Sequence, residues 1–165
     1  MEFSKEKLDQ IKEMTSRFPE GKHKSALLPV LHMAQKEFGG WLSTATMDYV
    51  ASVLNLQPVE VYEVASFYSM YYLRPVGKYV FSVCQTGPCM VRGSDDIIDY
   101  IKEKLGIGID ETTPDGLFTL KVVECLGACG YAPMMSMGKH YKEHLTKERI
   151  DEIVEECRAE AALSN

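Results

Sequence analysis

The 165-residue chain carries 18 Lys and Arg against 24 Asp and Glu, a net charge of −6, and 45% of its residues are hydrophobic. That hydrophobic share is enough for a packed core and excludes a disordered chain, while the acidic balance excludes a nucleic-acid surface, since phosphate binding requires clustered Lys and Arg. No run approaches the roughly 20 apolar residues that span a bilayer, and Met1 to Lys12 is charged throughout, so neither a membrane span nor a signal peptide is expected and the chain reads as intracellular.

The first half reads as four helices. Ser4 caps a helix whose apolar positions Leu8, Ile11, Met14 and Phe18 recur at helical spacing, and Pro19 with Gly21 ends it. Leu27, Leu31, Ala34 and Phe38 mark one face of a second, with Pro29 tolerated in the first turn and Gly39-Gly40 as the stop. Ser43 or Thr44 opens a third, carrying Met47, Val50 or Ala51, and Leu54 to a break at Asn55. Pro58 suits the first position of a fourth, with Val61, Val64, Ala65 and Tyr68, and the helical region closes near Tyr72.

Beyond Arg74, Pro75 and Gly77 the period changes. Tyr79 to Val83 is a short apolar run of β-branched and aromatic residues, the pattern of a strand buried on both faces. Ser94 is the expected cap of the next helix, with Asp95 and Asp96 at its positive end, Ile97, Ile98, Ile101 and Leu105 buried, and Gly106 as terminator. Phe118 to Val123 reads as a second strand, which completes a βαβ unit with parallel strands. Met134 to Met137 and His140 to Lys142 then read as a hairpin, and Thr146 caps a last helix with Ile150, Ile153, Val154 and Cys157 facing the sheet. The order βαβ then ββα is that of a minimal thioredoxin-like domain, expected over residues 77–159. Residues 1–76 form the helical bundle and 160–165 a frayed end.

Five cysteines in a reducing compartment are not expected to form a disulfide framework, so their spacing calls for metal or redox chemistry. Cys84 and Cys89 form C-x4-C, Cys125 and Cys129 form C-x3-C, and each pair follows the end of a predicted strand. Parallel neighbouring strands place both ends at one sheet edge, where ligands of α/β sheets gather. Gly87, Pro88, Gly127, Gly130 and Pro133 permit turns that return Cys89 and Cys129 over the same point. A [2Fe-2S] cluster is a rhomb with two cysteines on each iron and suits two such loops. Zinc favours tighter C-x2-C knuckles, although its spacings reach four, and a thiol redox pair would need an oxidising setting. Spacing favours iron and sulfide and leaves zinc and thiol redox open.

Longer stretches carry a resemblance. Cys-Gln-Thr-Gly-Pro-Cys-Met-Val-Arg-Gly-Ser from Cys84 and Val-Glu-Cys-Leu-Gly-Ala-Cys-Gly-Tyr-Ala-Pro-Met from Val123 resemble the cluster-binding signature of the small [2Fe-2S] subunit of NADH:quinone oxidoreductase, respiratory complex I. Ala26-Leu-Leu-Pro-Val-Leu-His-Met-Ala-Gln, Phe38-Gly-Gly-Trp41, Val59-Glu-Val-Tyr-Glu-Val-Ala-Ser-Phe-Tyr and His144-Leu-Thr146 extend it over nearly the whole chain. Departures are Gly130-Tyr131, where many members carry Val-Asn, and His144, where an acidic residue is common. The resemblance implies an α+β chain, an N-terminal helical bundle that docks on a partner followed by a thioredoxin-like (βαβ-ββα) [2Fe-2S] ferredoxin domain. It implies one [2Fe-2S] cluster on Cys84, Cys89, Cys125 and Cys129. The function implied is an electron-transfer subunit without a substrate site of its own, exchanging single electrons with FMN on a larger iron-sulfur flavoprotein subunit that binds NADH. The implied location is cytoplasmic, peripheral on the inner face of the membrane through the assembled complex. Similar subunits serve soluble NAD-dependent hydrogenases and formate dehydrogenases, and a thioredoxin-like thiol oxidoreductase or a zinc-stabilised interaction module are readings of other classes.

Cys157 reads as a buried structural thiol, because free Cys behaves as a small hydrophobe. His23, His32, His140 and His144 lack spaced partners and read as solvated or hydrogen-bonded side chains. Met134, Met135 and Met137 suit either shielding of a cluster or core filling, and Arg92 either charge compensation beside Cys89 or a surface ion pair. The run Phe67-Tyr-Ser-Met-Tyr-Tyr72 holds more aromatic rings than one face of a short helix can bury, so it divides between core and interface. Gly106-Ile-Gly108 follows a helix and lacks a third glycine, which places nucleotide binding on another chain.

Overall fold

Local start and stop signals decide where the helices fall. The computed structural model describes residues 2–163, and its chain divides into two units, one ending at Pro75 and one beginning at Val76. In the first, α1 (Lys5–Ser16) is capped by Ser4, whose hydroxyl accepts from the Lys7 N–H at 3.3 Å. This helix stops before the expected Phe18: the Arg17 N–H bonds back to the Met14 carbonyl, and Phe18 is left exposed outside the helical face. A 3-10 turn at His23–Ala26 leads into α2 (Leu27–Glu37), and Gly39 and Gly40, at φ +92° and +84°, turn the chain away at its end. Ser43 caps α3 (Thr44–Leu54) by accepting from the Thr46 N–H at 3.1 Å, and Asn55 at φ +51° closes it. Gln57 and Glu60 form a reciprocal capping box on α4 (Pro58–Phe67), with Pro58 in the first turn, where its missing N–H costs no bond.

The core of this unit gathers Ile11, Leu27, Leu31, Val50, Leu54 and Val61. The aromatic run at the end of α4 and beyond divides: Tyr71 is buried and donates its hydroxyl to the Leu28 carbonyl at 2.9 Å, whereas Phe67 is 79% exposed.

The second unit holds β1 (Tyr79–Cys84), α5 (Gly87–Val91), α6 (Ser94–Leu105), β2 (Phe118–Val123), β3 (Met135–Met137), β4 (His140–Lys142) and α7 (Lys147–Leu163). The sheet order is β2-β1-β3-β4. β1 and β2 run parallel from Tyr79 opposite Phe118 to Cys84 opposite Val123, and β3 and β4 continue antiparallel. Every residue of β1 is buried, as its apolar run requires. Its side chains alternate: Tyr79, Phe81 and Val83 join Ile97, Ile101, Phe118, Ile150 and Ile153 in the main core, while Cys84 belongs to a smaller cluster with Cys89, Ala132 and Met134. Gly77 just before β1 is obligatory, because a Cβ there would lie 2.8 Å from the Leu117 carbonyl group.

In this unit two further expectations change. Ser94 does not cap α6: Gly93 occupies that position at φ +90°, and the Ser94 hydroxyl is buried in the first turn without a hydrogen-bond partner. The close approach of the α6 start to the packed interior takes the hydroxyl away from the N–H groups it would have served. The last helix continues beyond Ala159 to Leu163, with Ala161 buried against the core, so the end expected to fray at residues 160–165 is helical to Leu163, while Ser164 and Asn165 lie outside the described residues.

These two serines predict opposite outcomes. Ser43→Ala should lower the stability of the α3 start by about 1 kcal/mol, seen as faster amide exchange in its first turn. Ser94→Ala removes a buried group that has no partner and should leave exchange in α6 unchanged or slower.

Candidate metal centre

Cys84 is the last residue of β1, and the ladder continues past it: its N–H donates to the Met134 carbonyl at 3.1 Å and the Gln85 N–H to the Val123 carbonyl at 3.0 Å. The chain then turns immediately. The Thr86 carbonyl accepts from the N–H groups of Cys89 and Met90 at 2.8 and 3.1 Å, which forms α5 and folds Cys89 back to the buried side of Cys84. The expected tight turn over Gly87 and Pro88 is this single helical turn.

The second loop leaves β2 two residues before Cys125. Gly127 sits at φ +78° and its N–H donates to the Cys125 sulfur at 3.4 Å, while the Tyr141 hydroxyl donates to the Leu126 carbonyl at 2.8 Å. A 3-10 turn at Cys129–Tyr131 follows. It is tied to the approach to α7 by the His144 N–H, which donates to the Tyr131 carbonyl at 2.9 Å, and by the Tyr131 and His144 rings, 5.7 Å apart.

Cys84 and Cys89 are buried and Cys125 and Cys129 exposed. All four are unpaired by disulfides. Burial pushes the Cys84 thiol up, but hydrogen bonds from the Thr86 hydroxyl, 3.3 Å away, from the backbone N–H of Leu126 and from the Cys89 thiol outweigh it and leave Cys84 below the ordinary thiol range. Cys89 is pushed up to about 11 by burial and by the negative charge it would face on Cys84. Burial and the neighbouring charges of Cys125 and Cys84 raise Cys129. The four sulfurs therefore share one electrostatic neighbourhood, arranged as Cys84 with Cys89 and Cys125 with Cys129.

Among the described residues no three or more His, Cys, Asp or Glu side chains gather round a point that a single metal ion would occupy. Two pairs of soft thiols on adjacent loops, Cys84 with Cys89 and Cys125 with Cys129, fit the donor set of a two-iron cluster, which takes two thiolates on each iron. Ala132 and Met134 cover the inner pair. The three methionines thus divide: Met134 shields the cysteines, Met135 fills the main core, and Met137 packs against that core and accepts from the Cys157 thiol at 3.8 Å. Cys157 is buried in the core, and burial raises its thiol. Arg92 is exposed at the end of α5, with no ion pair among the described residues. Of the histidines, His32 lies against the Tyr71 ring at 5.0 Å and His144 against the Tyr131 ring.

The sequence profile of the thioredoxin-like [2Fe-2S] ferredoxin family matches residues 11–158. The chain belongs to that family. The ferredoxin is 44% identical over 154 residues to an NADH-quinone oxidoreductase subunit of Rickettsia felis, covering 93% of this chain and 92% of that one. It is 42% identical over 157 residues to the mitochondrial NADH dehydrogenase [ubiquinone] flavoprotein 2 of Dictyostelium discoideum, across 95% of this chain and 64% of that protein. An NAD+-reducing [NiFe]-hydrogenase, in its air-oxidized crystal structure, matches with a TM-score of 0.70 at 21% identity over 82% of this chain. The ferredoxin spans only 23% of that hydrogenase chain, and the likeness is one of fold.

The sequence located all four cysteines but not the groups that serve them. Thr86 and Leu126, which donate to the Cys84 sulfur, and Tyr141, which donates to the Leu126 carbonyl, are not singled out by the sequence. Thr86 was legible as the residue between Cys84 and the Gly-Pro turn, whereas Tyr141 comes into reach only through the strand order that returns β4 toward the second loop.

With iron removed by a chelator, Cys125 should react with iodoacetamide at least about tenfold faster than Cys157, and Cys157 should become reactive only on unfolding. Peptide mapping of the alkylated ferredoxin reads both, and equal rates would contradict the core position of Cys157.

Proposed function

We propose that this ferredoxin is the electron-transfer subunit of the NADH-oxidising module of an NADH:quinone oxidoreductase, with Cys84, Cys89, Cys125 and Cys129 holding one [2Fe-2S] cluster. It exchanges single electrons with FMN on a larger iron-sulfur flavoprotein subunit that binds NADH. The observation that carries the reading is the convergence of two cysteine pairs at one edge of a parallel β1–β2 pair, in a chain 44% identical to an NADH-quinone oxidoreductase subunit over almost its full length. A bound [2Fe-2S] cluster supplies reversible one-electron transfer.

The chain's own residues prepare that site. Cys84 and Cys89, covered by Ala132 and Met134, exclude water from the inner side, and the exposed Cys125 and Cys129 leave the outer side open to a redox partner. Backbone N–H groups of Leu126, Thr86 and Gly127 point at sulfur, and such donors favour the more negative charge state of a thiolate site. The unit that ends at Pro75 contains none of the five cysteines and serves docking, for which the exposed Phe67, Tyr68 and Met70 at and just beyond the end of α4 provide an apolar edge. Among the described residues no helix is long and apolar enough to cross a membrane; the proposed location is peripheral, at the inner face of the membrane through the assembled complex. The hydrogenase likeness supports the fold and does not favour a hydrogenase role over the oxidoreductase one.

Anaerobically purified chain should hold about two iron and two sulfide and give an EPR signal on chemical reduction. In the assembled complex NADH should elicit the same signal. A colourless protein with one zinc, or one with freely titratable thiols and no sulfide, overturns the reading.

A further inference from the structure

The loop that carries Cys125 and Cys129 is built on a residue that does not hold it rigid. Gly127 lies at φ +78°, has nothing within 4 Å of where a Cβ would be, and so leaves the Leu126–Gly127 peptide free to rotate on its own account. That peptide is nevertheless held at both ends. Its carbonyl accepts from the Tyr141 hydroxyl at 2.8 Å, and its N–H donates to the Cys125 sulfur at 3.4 Å. Because the peptide is planar, fixing the carbonyl on one side fixes the direction of the N–H on the other.

Tyr141 is anchored independently of the loop. It lies on β4 opposite Ser136 of β3, and β3 pairs with β1, the strand that ends in Cys84. The clamp therefore refers the second cysteine loop to the strand that carries the first. The Tyr141 side chain itself is 48% exposed, so burial of its ring does not explain its position; the hydroxyl contact does.

We propose that Tyr141 is a positioning residue for the cluster: its hydroxyl orients the Leu126–Gly127 peptide so that the Gly127 N–H is aimed at the Cys125 sulfur, and this raises the reduction potential. The inference rests on the functional reading above, in which Cys125 is a ligand. A donor aimed at a ligand sulfur stabilises the reduced, more negative state, so its loss favours the oxidised one.

The test is an EPR-monitored redox titration of the full cluster-loaded chain, comparing wild type, Tyr141→Phe and Tyr100→Phe. Tyr100 donates a hydroxyl to Asp151 at 2.7 Å between α6 and α7, a bond of the same kind in the same unit that touches no cysteine. Tyr141→Phe should lower the ratio of reduced to oxidised cluster about tenfold at a fixed potential, equivalent to about 59 mV for one electron. Tyr100→Phe should leave it unchanged. In the unmodified chain, pulsed EPR with 15N-labelled glycine should detect the Gly127 amide coupled to the cluster. A loaded Tyr141→Phe chain with the wild-type potential, no glycine coupling in wild type, or a folded Tyr141→Phe chain that holds no cluster each overturns the proposal. Wild type without iron and sulfide overturns the functional reading itself, which separates the two failures.

Discussion

The parallel pairing of β1 with β2 is the constraint on which the second unit depends. Six successive pairs, from Tyr79 with Phe118 to Cys84 with Val123, bring two segments far apart in sequence to a common edge. Parallel strands cannot be joined by a hairpin, so the chain must cross over, and α6 does so while its Ile97 and Ile101 cover one face of the sheet. With both strands ending at the same edge, residues just beyond each end meet without any long loop. Cys84 is placed by the last pair of the ladder itself, and Cys125 follows two residues after its partner strand ends. The cysteine pairs are thus a consequence of strand register, and a slip of one residue would turn Cys84 from the small cluster of cysteines into the main core.

The same edge is asymmetric, and the asymmetry has a physical source in each loop. The first loop closes within a helical turn, α5, which presses Cys89 inward against Ala132 and Met134. The second passes over Gly127, stays at the surface and takes its shape from contacts reaching in from β4 and from the segment before α7. One side of the site is therefore dry and the other open. Burial raises the Cys89 thiol, whereas the Thr86 hydroxyl and neighbouring N–H groups lower that of Cys84. Tyr131 and His144 contact each other, which ties the cysteine loop to the start of the last helix.

Much of this was legible in the residues because the signals were local. The unbroken apolar run of β1, the Ser4 cap, the third helix start at Ser43, one of two candidates with Thr44, Pro58 in a first turn and the helix break at Asn55 each act over a few residues and fell where expected. The departures arise where tertiary placement overrides a local signal. Ser94 has the chemistry of a cap, but it lies one residue too far along, behind Gly93, and is drawn into the interior. Phe18 keeps the helical period of α1 after the backbone has left the helix. The last helix outruns its apolar pattern because Ala161 is small enough to pack where no larger residue marks the face. At the site, the cysteines announced themselves by spacing, and Cys157 by its place on an apolar face. Tyr141 could not announce itself, since its partner is a backbone carbonyl and nothing in the residue at position 126 records that contact.

The central claim is that four of the five cysteines act as one site assembled by two strand ends, and that the fifth is core. Its most direct test is 57Fe Mössbauer spectroscopy and iron counting on a matched series of full chains, Cys84→Ser, Cys89→Ser, Cys125→Ser, Cys129→Ser and Cys157→Ser. The account predicts that Cys157→Ser keeps the wild-type spectrum and iron content, and that each of the other four loses iron or shows an altered spectrum. An unaltered cluster in any of those four, or its loss in Cys157→Ser alone, would contradict it.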